Sequence, residues 1–177
     1  MLGAIIGDIV GSPYEFDDYN IKTTDFPLFS KESEITDDTI MTLAVAQGLI
    51  NGKKDPQKTY DEITKCMQKL GNEYPYMSYG YNFQSWLCSD NPKPYNSYGN
   101  GSAMRVSSVA WFFDNLEDVE KFAEISALPT HNHPEGIKGA QAVASAIFLA
   151  RIGQTKSEIK NYIVKKYNYD LSKTCDE

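Results

Sequence analysis

The sequence predicts an all-α domain, and two observations carry that expectation. Apolar residues recur at helical spacing in five segments. Val, Ile and Thr nowhere alternate with polar residues over the length a strand needs, so strands are at most minor. The 177 residues suit one domain with a core large enough to fold alone, and the chain is read as a single domain, 1–177. No apolar run reaches the length of a membrane span.

The first segment, "GDIVGSPYEF" (Gly7 to Phe16), belongs to an apolar helix that begins near the N-terminus. Gly7 and Gly11 stand four apart and permit close helix packing. Asp8 inside this apolar stretch argues against a secretory leader, and a buried carboxylate there needs hydrogen-bond partners or a cation. Glu15 follows a Pro-containing turn, a place suited to a general base or a water-positioning carboxylate.

The next helix is predicted from Asp37 to Asn51. Its apolar positions fall nearly all round, as in a helix buried at the centre of a bundle. It opens on "TDDT": Thr36 is a good N-cap, and Asp37 and Asp38 favour the positive end of the dipole. Helix capping accounts for these residues by itself. So does a divalent-cation site, provided that oxygen ligands converge on it from elsewhere. Residues 1–38 hold nine acids against two lysines and so carry the whole net charge of −7. That local excess of hard oxygen donors suits magnesium or manganese, although a solvated acidic face fits it too. With the remainder of the chain neutral overall, there is no basic stripe for nucleic acid.

Pro56 to Leu70 reads as an amphipathic helix. Between Leu70 and Met104 the texture changes to a long loop with half of the twelve tyrosines (Tyr74, Tyr76, Tyr79, Tyr81, Tyr95, Tyr98), together with Phe83 and Trp86. Such loops in compact domains are more often functional than idle. It ends in "NSYGNGSAMRV" (Asn96 to Val106), a glycine-interrupted turn running into an apolar helix. Gly99 and Gly101 permit backbone shapes that expose successive N–H groups, as an anion cradle needs, and a plain loop-to-helix turn reads equally well.

Leu116 to Leu128 is predicted as a surface helix. Pro134 to Ile152 is the clearest helix of the chain: Pro134 and Glu135 start it, Ala140, Val143, Ala144, Ile147 and Phe148 supply its apolar face, and Gly153 ends it. Just before it, "PTHNHPEGIKGA" holds the only two histidines, His131 and His133. No further Cys or His stands in a zinc-compatible pattern, so one histidine contacting a polar ligand and the other capping the helix is the better reading. Ser157 to Tyr167 is a last helix with a basic end. Cys66, Cys88 and Cys175 are widely separated and odd in number, which suits a reducing cytoplasm.

In order along the chain, "GAIIGDIVGSPYE", "TDDT", "SYGNGSAMRV" and "THNHPEGIKGA" resemble the ADP-ribosylglycohydrolase family, from the N-terminus to about Arg151. The resemblance implies a compact multi-helix orthogonal bundle that hydrolyses an ADP-ribosyl bond with a pair of magnesium or manganese ions. Its substrate would be an ADP-ribosylated protein or a small-molecule ADP-ribose conjugate. It implies Thr36, Asp37 and Asp38 as metal ligands, with Asp37, Asp38 and Glu15 beside the scissile bond. Ser97, Tyr98, Gly99, Asn100 and Gly101 would form the loop holding diphosphate and ribose, and His131 would contact the ADP-ribose.

One departure qualifies this. The family's late D-x-D-[ST] motif, which completes the metal shell, has no counterpart after residue 151, where the acids are only Glu158, Asp170, Asp176 and Glu177. The expectation is therefore a domain lacking its C-terminal portion. Its metal site would be completed by that portion or by a second chain. Otherwise it is a module that binds ADP-ribose without turning it over.

Overall fold

Helix α2 (Asp37–Gly52) runs through the centre, and the computed structural model, which describes residues 1–15 and 23–173, builds outward from it. Asp17, Asp18, Cys175, Asp176 and Glu177 lie outside the described residues. α2 buries Ile40, Met41, Ala44, Val45 and Leu49, while Leu43 and Ile50 reach solvent. It packs most extensively on α3 (Pro56–Glu73). The two helices approach so closely that a Cβ on Gly48 would stand 2.6 Å from the Ile63 Cα, and one on Gly52 2.6 Å from the Thr59 Cα.

The remaining helices wrap this pair. α1 (Leu2–Gly11) leads into a 3₁₀ turn, Ser12–Tyr14. α4 (Tyr81–Leu87) lies inside the stretch expected to be loop. On it the Phe83 and Trp86 rings stack, with Tyr79 edge-on to Phe83, and the α3 side chains Gln68 and Asn72 donate to the Ser89 and Leu87 carbonyls at 2.8 and 3.1 Å. Local periodicity is too short there to announce a helix that rests on α3 for its partners.

The apolar helix expected after Asn96 is broken into three pieces: α5 (Gly101–Met104), a 3₁₀ turn Val106–Ser108, and α6 (Val109–Phe112). At the break Arg105 turns inward and is 1% exposed. α7 (Leu116–Ala127) and α8 (Pro134–Arg151) pack together, with Val119, Phe122, Ala123, Ala140, Ala144 and Phe148 in the core. α7 is therefore only half a surface helix.

α9 (Lys156–Tyr167) closes the described chain, tied to α7 through Glu120, which accepts from Tyr162 and Tyr167 and pairs with Lys166 at 3.1 Å. The longer helices after α1 start by local rules: Asp55 and Asn115 cap α3 and α7, and Thr155 with Glu158 forms a capping box on α9. Among the described residues there are nine α-helices and no strand, as the sequence led us to expect. None is long and apolar enough to cross a membrane.

Candidate functional site

The acidic end of α2 is assembled by one residue of α1. The Asp8 carboxylate accepts the Thr36 N–H at 2.9 Å, the Thr36 hydroxyl at 2.6 Å, the Thr39 N–H at 3.2 Å and the Thr39 hydroxyl. A carboxylate taking four donors has the partners that its place in an apolar helix demands. The close packing expected of Gly7 and Gly11 is not realised: a Cβ at either meets nothing within 4 Å among the described residues. α1 buries no residue, with Leu2 and Ile6 exposed, so Asp8 is its main anchor on α2.

Thr36 caps α2, its hydroxyl accepting the Asp38 N–H at 3.3 Å. Asp37 and Asp38 are thereby held in the first turn. Burial, and then repulsion from Asp38 and Glu15, pushes the Asp37 carboxyl up to about 6. Burial, and then Asp8, raises Asp38; burial, and then Asp38 and Asp8, raises Glu15. No Lys or Arg forms an ion pair with these three carboxylates among the described residues.

This unneutralised donor set, with a lone pair left on the Thr36 hydroxyl, fits one flank of a hard cation's shell. It fits one flank only. Among the described residues no three His, Cys, Asp or Glu side chains converge closely enough to hold an ion by themselves. Water, a bound ligand or another polypeptide segment would supply the rest.

The expected site residues fall into adjoining spaces. Asp37, Ser97, Gly99, Asn100, Gly101 and His131 line one cavity of about 190 Å³. Asp38 and Glu15 line a neighbouring pocket of about 630 Å³, with Asp8 and Thr42. Asn100 borders both. Tyr98 is not brought in: it is 75% exposed, its ring lies against His133 with centroids 5.3 Å apart, and it faces a third pocket between α5, α8 and α9.

The loop's shape has a different cause from the one its glycines suggest. Its left-handed residue is Asn96, at φ 56°, whose N–H donates to Asn132 Oδ1 at 2.7 Å. The N–H groups of Tyr95 and Ser97 donate to the Thr130 carbonyl, each at 3.4 Å, and that of Gly99 to Ser97 Oγ at 3.3 Å. An anion would therefore have to use the loop's other N–H groups. α5 is one turn long, so its dipole adds little. The glycine this region does require is Gly136 on α8, where a Cβ would stand 2.7 Å from the Ser97 carbonyl and 3.1 Å from the His131 Cβ.

His133 caps α8 by accepting the Glu135 N–H at 3.1 Å, as anticipated for one of the two histidines. His131 is 3% exposed. Burial, and then the Arg105 charge, pushes its imidazole down to about 4, while the Gly99 backbone pulls the other way. Arg105 was not anticipated. It donates to the Ser126 carbonyl at 3.2 Å and to Thr130 Oγ1 at 2.8 Å, and no carboxylate pairs with it among the described residues. One of the chain's two arginines inside the apolar run "AMRVSSVAWFF" was the signal that could have found it.

The family model for ADP-ribosylglycohydrolase matches residues 1–175. ADP-ribosylhydrolase ARH3 of Mus musculus and of Homo sapiens are each 32% identical over 189 residues, covering 89% of this chain and 50% of theirs. ADP-ribosylhydrolase ARH3 of Gallus gallus is 31% identical over 193 residues, covering 89% of this chain and 51% of its own length. The chain thus spans about half the length of the curated relatives it matches. With all but its last two residues inside the match, the chain belongs to the ADP-ribosylglycohydrolase family.

Proposed function

We propose that the chain carries the ADP-ribose-binding face, and part of the cation site, of a hydrolase that cleaves an ADP-ribosyl bond to a protein side chain or a small molecule. One observation carries the reading: a single cavity gathers Asp37 from the acidic segment, the Ser97–Gly101 loop and His131, residues separated by up to 94 positions. A compartment lined by a carboxylate on one side and a glycine-containing polar loop on the other suits a ribose next to a diphosphate.

In this reading Thr36, Asp37 and Asp38 hold the cation. A bound magnesium or manganese, two ions in the complete domain, would neutralise these carboxylates and supply Lewis acidity toward the substrate oxygens. The chain's own part is orientation and proton transfer. The loop fixes the diphosphate and so aims the anomeric carbon, which gains oxocarbenium character as the bond breaks. Glu15, its carboxyl raised by burial and by its acidic neighbours, takes the proton of the attacking water. Asp8 acts through Thr36 and Thr39, holding the α2 turn in place.

One observation favours a second reading, a module that binds ADP-ribose without hydrolysing it: the partial donor set for the ion. Isothermal titration of the chain with ADP-ribose, with and without magnesium, separates the two. Binding that tightens with magnesium, and loses that gain in Asp38→Ala, supports the hydrolase reading. Release of free ADP-ribose from an ADP-ribosylated protein would complete it. Binding indifferent to magnesium supports the binding module, and no binding by a folded sample overturns both. A cytoplasmic setting, proposed with the hydrolase reading, rests on Cys66 and Cys88 being free thiols among the described residues.

A further inference from the structure

His131 poses a question about its second nitrogen. The ring is buried and borders the 190 Å³ cavity, yet among the described residues its Nε2 has no hydrogen-bond partner of full geometry, the Gly99 backbone acting on the ring only as the weakest of its influences. A buried polar atom left so is costly, which points to a partner that the cavity's occupant supplies. Whether Nε2 would offer that occupant a proton or a lone pair is decided on the far side of the ring.

There, Arg105 Nη2 donates to Thr130 Oγ1 at 2.8 Å, and Thr130 Oγ1 lies 2.7 Å from His131 Nδ1. A guanidinium can only donate, so it fills one lone pair of the Thr130 hydroxyl and gives that hydroxyl's proton nowhere to go on its side. Thr130 is fully buried, and Nδ1 is the acceptor its O–H meets. The opposite tautomer, with Nδ1–H donating to Oγ1, strands the Thr130 proton in a dry interior. It also leaves Nε2 as an unpaired acceptor. Only one arrangement gives the Thr130 hydroxyl proton an acceptor.

We infer that Arg105 and Thr130 are positioning residues that lock His131 in the Nε2–H tautomer, so that the ring presents a fixed, neutral donor to an acceptor oxygen of the bound ligand. The inference rests on the reading of this cavity as an ADP-ribose site, where that acceptor is a ribose or phosphate oxygen. His131 then cannot serve as a base, because one nitrogen accepts from Thr130 and the other already carries its proton. Burial beside Arg105 also keeps the ring from charging. The chain Arg105–Thr130–His131 is thus a relay of orientation that runs in one direction.

The test is long-range ¹H–¹⁵N spectroscopy of the imidazole in the full chain, alongside titration with ADP-ribose. Wild type should show Nε2–H. Thr130→Val keeps the backbone carbonyl that holds Tyr95 and Ser97 but removes the hydroxyl. It should give a mixed or reversed tautomer and bind ADP-ribose about tenfold more weakly. Thr130→Ser should restore both. An Nδ1–H or mixed ring in wild type overturns the inference whether or not ADP-ribose binds, and needs no variant to fold. An unchanged affinity in a folded Thr130→Val chain overturns it as well. An Nε2–H ring in a wild type that does not bind ADP-ribose sinks the ADP-ribose reading, and the donor role falls with it.

Discussion

Asp8 on α1 and Thr36 at the head of α2, 28 residues apart, are joined by two hydrogen bonds of 2.9 and 2.6 Å to opposite oxygens of one carboxylate. Thr39 adds two more, so one side chain fixes the turn that carries Asp37 and Asp38. Hydrogen bonds to a charged group are worth about 1.5–3 kcal/mol each and do not add fully. Asp8→Asn replaces one accepting oxygen with an NH2 that faces donors, and should cost roughly 2–3 kcal/mol in urea denaturation. Thr36→Val should cost less, since it removes the hydroxyl and keeps the N–H. Equal costs would mean the carboxylate is not the organising group.

Two glycines three positions apart on α8 should respond with opposite signs. A Cβ on Gly136 meets the Ser97 carbonyl at 2.7 Å, whereas one on Gly139 has nothing nearer than the Tyr169 hydroxyl at 3.8 Å. Gly136→Ala should destabilise by about 1–3 kcal/mol through overpacking and displace the 97–101 loop, weakening ADP-ribose binding. Gly139→Ala should gain up to about 1 kcal/mol, because a mid-helix glycine is costly. Thermal melts read both.

The depressed His131 value makes a pH prediction with a definite sign. The imidazole titrates near 4 in the folded chain against 6.5 ordinarily, so between those values the unfolded chain binds more protons. Stability from the neutral ring is present above pH 6.5 and drains away toward pH 4, by at most about 1.4 kcal/mol per pH unit. Asp37, pushed the other way to about 6, gains protons on folding in much the same window and opposes this slope. The comparison to make is therefore wild type minus His131→Asn across pH 4 to 7. That difference should grow with pH, and a flat difference would show that the ring titrates normally.

Glu120 should prove to be what keeps α9 on the domain. It takes hydrogen bonds from Tyr162 and Tyr167 and pairs with Lys166, and these donors hold its carboxyl below the usual range despite its burial. Glu120→Ala strands the Tyr162 hydroxyl, leaves the Tyr167 hydroxyl with Ser145 alone, and should cost roughly 2–4 kcal/mol. Hydrogen exchange should show faster opening of residues 156–167 than of α2. Uniform acceleration across both helices would instead mean that α9 and the core unfold as one unit.

Much of this molecule is written in neighbouring residues. Thr36 before two aspartates, Pro134 and Glu135 after a histidine, and the alternations of α2 and α8 each fix a helix through contacts within about four positions, so a linear reading finds them. The four ordered motifs likewise identify the family without any geometry. What the chain could not state in advance is which distant groups meet. Asp8 finds Thr36 and Thr39 only when α1 lies across α2. Arg105 finds Thr130 only because the expected apolar helix breaks to admit it.

The two glycine roles divide in the same way. Gly99 and Gly101 look like conformational hinges in the sequence, but the left-handed residue is Asn96, and the indispensable glycine is Gly136 on another helix. Tyr98 shares a motif with Ser97 and Gly99 and still faces another pocket, because adjacent residues of a loop can point to different sides. Local hydrogen bonds, short in sequence, decided the helix starts, Thr36 on α2 among them. Burial, which must satisfy every polar atom with whatever the fold brings near, decided the orientation of His131 and the division of the site.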